Sequence, residues 1–149
     1  TLSSRTDATS TGMVMEFLNG AYKTGVPALS FGIVDVREVA EAHIQAARIE
    51  GAEGRHIVSG PVMSMLEITR AIQKSFPDRF PLPTKELPKF LLYLFGPFQG
   101  FTWRYIRTNI GYSFALDNSK SRDELGISFR PPEDTLKDQV ERLQEMGVV

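Results

Sequence analysis

Twice in this chain a run of strand-forming residues gives way to a helix through a residue able to cap it, with a glutamate three positions later. LSFGIVDV, residues 29–36, ends in Asp35-Val36-Arg37-Glu38, and RHIVSG, residues 55–60, is soon followed by Ser64-Met65-Leu66-Glu67. Both tetrapeptides have capping-box form. The first side chain accepts from the amide three residues on, and the glutamate reaches back to the cap's own amide. A chain built this way passes from strand to helix with no loop between. The first helix is predicted over roughly Val36–Ile49, with Val36, Val39, Ala40, His43 and Ala47 on its inner face, and GAEG ends it. The second is predicted from Met65 to about Phe76, with Met65, Ile68, Ile72 and Phe76 as its apolar stripe. Strand, helix, strand, helix argues for an α/β layer with parallel pairing.

The flanks are simpler. TLSSRTDATS reads as a polar loop, because short hydroxyl side chains compete for backbone hydrogen bonds. A helix over about Thr11–Asn19 follows, with Val14, Phe17, Leu18 and Ala21 on one face, Gly20 as its stop, and Gly25 and Pro27 in a turn. Pro77, Pro81, Pro83, Pro88 and Pro97 divide the middle. Most aromatics fall in KFLLYLFGPFQGFTWRYIRTNIG, predicted as two short helices broken at Gly96-Pro97, forming either a local core or the wall of an apolar pocket. FALDNSKSRDELGI gives a short extended piece and a short helix. A last helix runs from about Asp134 to Met146, with Leu136, Val140 and Leu143 buried and Gly147 ending it.

Composition excludes several chemistries. The 149 residues are one domain's length and 42% hydrophobic, enough for a core. A net charge of -1 points to neither nucleic acid nor a membrane surface as partner. With no cysteine there is no disulfide, thiolate nucleophile or thiolate metal site, and a reducing, cytoplasmic setting is expected. The longest apolar stretch, Phe90 to Phe95, cannot span a bilayer. No signal-peptide pattern opens the chain; its start at Thr1, inside a Ser/Thr-rich run, is abrupt and suggests a cut. Glycine-rich phosphate loops, H-E-x-x-H and G-x-S-x-G are all absent. His43 and His56 read as structural imidazoles, and no metal site is expected. None of Tyr22, Tyr93, Tyr105 and Tyr112 has a lysine four residues later to lower its pKa. No catalytic residue can be assigned.

FGIVDVREVAEAHIQAA resembles the strand-to-helix segment of extended short-chain dehydrogenases/reductases, F-(V/I)-x-V-x-D-(V/L)-A-x-A-H. The form IVDVREVAEAHI is nearest the dihydroflavonol-reductase-like and aldehyde-reductase branch. DNSKSRDELGISFRPPEDTLKDQVERL is similar to the same family's ending, where Ser-Lys and Leu-Gly precede a final helix. Order and spacing match, so the resemblance covers most of the chain. It departs in Asp35, where many relatives have His, and in Glu38, where they have Asp. Gly32 stands where some carry a polar substrate contact. The resemblance implies the C-terminal part of a Rossmann-type NAD(P)-binding fold: the last parallel strands plus a small, mostly helical substrate domain. Residues 1–149 would be one substrate-binding fragment. The dinucleotide-binding half, with its glycine-rich loop and Ser/Tyr/Lys set, is absent from the sequence.

The activity implied is reduction of a small carbonyl compound by NAD(P)H in an intact parent, with this chain inactive alone and holding no cofactor itself. A nucleotide-sugar epimerase or dehydratase, and a non-catalytic cofactor-sensing or scaffold protein, are the alternatives. Expected substrate contacts are Ser3, Ser4, Arg5, Phe31, Phe98 and Trp103, with Phe101 beside them, although core packing or a solvated loop explains each as simply. A helix cap explains Asp35 and Glu38 better than an acid/base pair does. Arg104 and Arg107, three apart on one helical face, read as a surface face rather than an anion site. Removing a parent's earlier strands would leave the LSFGIVDV edge and the faces of Val39, Ala40 and Ala47 open, so a homodimer or larger assembly is expected.

Overall fold

The two capping boxes form as their sequences predict in the computed structural model, which describes residues 9–96 and 102–149. Strand β1 (Ser30–Gly32) leads through extended Asp35 into helix α2 (Val36–Arg48), and the Asp35 amide donates to the Glu38 carboxylate at 3.0 Å. Strand β2 (Val62–Ser64) runs into α3 (Met65–Ser75), where the Ser64 amide donates to Glu67 at 2.7 Å. Two of the donors that a helix start leaves unpaired are satisfied in each case, which fixes where the helix begins.

The main core lies where α3 packs on α7 (Pro132–Glu145), and α1 (Thr9–Leu18) joins it. Met65, Ile68, Ile72 and Phe76 of the first predicted stripe are buried, as are Leu136, Val140 and Leu143 of the second. Each such side chain contributes about 1.5–3 kcal/mol by leaving water. Helix α7 starts two residues ahead of the predicted Asp134, because Pro132 at its first position has its φ preset and needs no amide partner. Val14, Phe17 and Leu18 of α1 are buried, whereas Ala21 lies beyond the left-handed turn at Gly20 and is exposed.

Strand pairing differs from the expectation. β1 and β2 pair antiparallel, Phe31 opposite Met63, and just beyond them the Ile33 amide donates to the Pro61 carbonyl and the Gly60 amide to the Ile33 carbonyl. RHIVSG forms no strand. Its carbonyls are met by side chains instead: Ser121 Oγ donates to Ile57 O at 2.6 Å, and Asn118 Nδ2 to Ser59 O at 2.6 Å. A β-branched run becomes a strand only beside another backbone, and here helix α6 (Ser119–Leu125) is the neighbour. The expected inner face of α2 also proves wrong. Val36, Ala40, His43 and Ala47 are exposed and Val39 is half-buried, while Glu38 and Ala42 are the buried positions. Ala42 packs on Leu125 and Ile127, so α6 and the residues after it decide which side of α2 faces inward.

The aromatic middle forms the two short helices predicted, α4 (Lys89–Phe95) and α5 (Trp103–Asn109), with α4 stopping at Gly96. They pack on each other and are stapled. Lys89 Nζ donates to the Ile110 carbonyl at 2.7 Å and lies 4.9 Å from the centre of the Tyr112 ring.

Gly32 has no room for a side chain. A Cβ there would stand 2.5 Å from Ser59 Oγ and 2.9 Å from Leu116 Cδ1. Gly32→Ala should therefore lower stability by about 1–3 kcal/mol, the usual cost of overpacking. Ser59→Ala, which removes the nearer atom, should recover part of that loss. Urea denaturation of both single variants and the double variant measures the coupling; additive losses would show that the contact is not what restricts position 32.

Candidate functional site

The end of β1, the first turn of α2, the start of α1 and one side of α7 from Thr135 to Glu145 surround a cleft of about 640 Å3. Met13, Val14, Ile68 and Leu136 give it apolar walls; Ser10, Thr11, Arg37 and Arg142 bring polar groups to it. Each is placed by an element already described: the core stripes turn their edges toward the cleft, and the α2 cap turns Arg37 back across its mouth.

Asp35 organises one side of this cleft. It is 3% exposed and accepts from three elements at once. Arg37 grips it with two nitrogens, Nε to Oδ1 at 2.8 Å and Nη2 to Oδ2 at 2.5 Å. Thr135 Oγ1 of α7 donates to Oδ2 at 3.1 Å, and Arg130 Nη1 approaches the same oxygen at 3.4 Å. Arg37 also bonds Asp138 at 2.6 Å, and the Arg130 amide donates to the buried Glu38 carboxylate. The Arg37 guanidinium holds the Asp35 carboxyl well below the usual carboxylate range, and Asp138 is lowered mainly by the same arginine. At neutral pH Asp35 is a fixed anion with its lone pairs in use. It caps and clamps, and has no proton to give.

Three further carboxylates, those of Asp138, Glu141 and Glu145, line the cleft. Neither histidine lines it: His43 Nδ1 lies 2.7 Å from the Val39 carbonyl on the exposed side of α2, and His56 Nε2 pairs with Glu124 at 2.9 Å. Among the described residues no group of acids and histidines is arranged to hold a metal ion. A smaller cleft of about 400 Å3 lies between Gly60–Val62 and Phe114–Leu116, with Asn118 and Arg122 at its edge. Arg122 is stacked 5.5 Å over the Phe129 ring.

Of the substrate contacts expected from sequence, Ser3, Ser4, Arg5 and Phe98 lie outside the described residues, as does Phe101. Phe31 is half-buried and packs against the main core rather than lining either cleft. Trp103 begins α5, is exposed, and lines neither cleft. What sequence reading missed is the clamp. Arg130, Thr135 and Asp138 follow Asp35 by about a hundred residues, so no local spacing announces them; only the Asp35–Glu38 half was visible.

No protein-family model matches the chain. Cinnamoyl-CoA reductase 2 from Medicago truncatula is 32% identical over 142 residues, which is 93% of this chain and 35% of that protein. A putative uncharacterized oxidoreductase from Schizosaccharomyces pombe is 26% identical with the same coverage. Among solved structures, Gre2 from Candida albicans superposes with a TM-score of 0.69 at 24% identity, covering 98% of this chain and 39% of that one. Yeast methylglyoxal/isovaleraldehyde reductase Gre2 in complex with NADPH gives 0.67 at 23%, covering 98% and 43%. The chain thus spans about a third of the length of the curated relatives it matches, and the matches fall in their C-terminal part. The fold is that of the C-terminal part of a Rossmann-type reductase, and the resemblance to extended short-chain dehydrogenases/reductases stands.

The clamp sharpens what Asp35 is worth. A cap alone predicts a loss of about 1 kcal/mol for Asp35→Ala and little for Asp35→Asn. With the two arginines and Thr135 also bonded to it, Asp35→Ala should cost about 2–3 kcal/mol and Asp35→Asn about 1–2 kcal/mol, reduced because both arginines are partly exposed. Because the folded carboxyl titrates below its unfolded value, its contribution is complete above the unfolded pKa of about 4 and fades as pH falls through the folded one. Denaturation curves at pH 7 and pH 3 should show the Asp35→Asn deficit shrinking at the lower pH; an equal deficit at both would mean the charge is not involved.

Proposed function

We propose that this chain is the substrate-side portion of a longer NAD(P)H-dependent reductase of small carbonyl compounds, inactive by itself. The observation that carries the proposal is the alignment of nearly the whole chain with reductases, 93% of it against cinnamoyl-CoA reductase 2, joined to a cleft whose buried carboxylate, Asp35, is committed to holding the fold together. The relatives named with a reaction are reductases of a thioester or of small aldehydes, which favours carbonyl reduction over nucleotide-sugar chemistry.

The residues present do not fit a dinucleotide. A pyrophosphate is bound by free backbone amides at a helix start. Both strand-to-helix junctions here have those amides turned to their own Asp35, Glu38, Ser64 and Glu67 side chains, and three of these are carboxylates. A diphosphate brought there would meet negative charge and occupied donors. The cofactor belongs to another part of the parent, and this portion positions substrate and excludes water. Ser3, Ser4 and Arg5 enter the proposal as substrate contacts because the chain they lead into, Ser10 and Thr11 of α1, borders the larger cleft.

Incubated with NADH or NADPH and a panel of aldehydes and ketones, the purified chain should oxidise no cofactor above the blank. Oxidation that follows the protein through purification would overturn the reading of a non-catalytic portion.

The exposed apolar side of α2, with Val36 and Ile44 among the large residues left in water, supports self-association of the isolated chain. Light scattering after size exclusion at micromolar concentration should give a dimer or larger, reduced to monomer by Val36→Lys with Ile44→Glu. A monodisperse monomer of the unsubstituted chain would count against it.

A further inference from the structure

Helix α4 is turned inside out for a helix in water. Its exposed positions Phe90, Tyr93 and Leu94 fall at i, i+3 and i+4, with Phe90 66% and Leu94 61% exposed, and Phe95 is exposed beside them. The one charged side chain of α4, Lys89, is half-buried and spent on the Ile110 carbonyl. Helix α5, packed against α4, begins with Trp103, 68% exposed, and presents Arg104 and Arg107 three residues apart. Neither guanidinium has a carboxylate within ion-pair distance among the described residues, whereas Arg37, Arg130 and Arg142 each have one.

Charge is segregated along the sequence in the same place. From Leu87 to Leu116 there is no aspartate or glutamate, and the bases are Lys89, Arg104 and Arg107. A chain whose total is -1 is therefore clearly acidic elsewhere, and the near-neutral total, which by itself argues against a membrane, conceals one basic, aromatic surface. Exposed phenylalanine and leucine side chains suit the acyl boundary of a bilayer. Tryptophan and tyrosine suit its headgroup level, and unpaired arginines beside them suit anionic headgroups. No helix of the described residues is long and apolar enough to cross a membrane, so the contact would be peripheral.

We infer that the α4–α5 surface docks on an anionic lipid bilayer. Apolar contact and charge act together, so neutral bilayers bind weakly and salt weakens the anionic case. The inference does not rest on the reductase reading, since none of these residues lines either cleft.

Trp103 is the chain's single tryptophan and reports on the surface directly. Added to vesicles of phosphatidylcholine with a third phosphatidylglycerol, the 149-residue chain should show a blue shift of Trp103 emission and co-sediment with the lipid. Phosphatidylcholine vesicles should bind at least tenfold less. Arg104→Glu with Arg107→Glu should lower partitioning to the anionic vesicles by about tenfold or more, and Phe90→Gln with Leu94→Gln by a similar factor. All four positions are exposed, and matching far-UV circular dichroism shows that the fold is kept. Absence of co-sedimentation, or equal binding to neutral and anionic vesicles, overturns the inference. A blue shift that grows with protein concentration without lipid also overturns it, because a second copy would then be the occupant; association through α2 leaves Trp103 in water.

Discussion

Asp35 is the point at which three distant parts of the chain become one object. Its backbone continues β1, its side chain starts α2, and its two oxygens hold arginines from α2 and from the segment ahead of α7, with Thr135 of α7 itself. A buried carboxylate is costly to desolvate, and here the cost is offset by charge-assisted bonds whose arginines remain partly in water. Once α7 is located by this clamp, its apolar stripe falls against α3 and the core closes. The larger cleft is what remains between the clamp and the core: α1, the end of β1 and α7 are kept apart on that side and joined below it.

What was legible in the sequence follows the range of the forces involved. Capping boxes are local, and both formed where the sequence places them. The stripes of α3 and α7 repeat at helical spacing and face one shared core, so periodicity alone identified them. RHIVSG failed because strand formation depends on a neighbour that no local pattern specifies; its carbonyls found Asn118 and Ser121. The exposed side of α2 failed for a related reason. Alanines and valines mark an apolar face, but the contact with Leu125 and Ile127 decides which face is inside. The Asp35–Arg130 pair joins residues 95 apart in the chain, beyond the reach of any spacing rule.

The capping boxes also bear on what these helix starts can bind. A helix start can serve its own chain or a bound anion, seldom both. Here both junctions serve the chain, Glu38 and Glu67 each returning to a cap amide. That leaves these junctions strong as scaffold and poor as phosphate sites. The clustering of unpaired basic residues on α5, away from these junctions, is consistent with the same separation.

Lys89 ties the first residue of α4 to the carbonyl just past the end of α5, so one ammonium closes a ring around everything between them. Leu92 and Ile106 point from the two helices into a common core. The pair therefore sits on the core as one unit, and the staple and the shared packing together set how the aromatic surface is presented. Replacing this one amine would remove the staple and leave the packing of the two helices on each other.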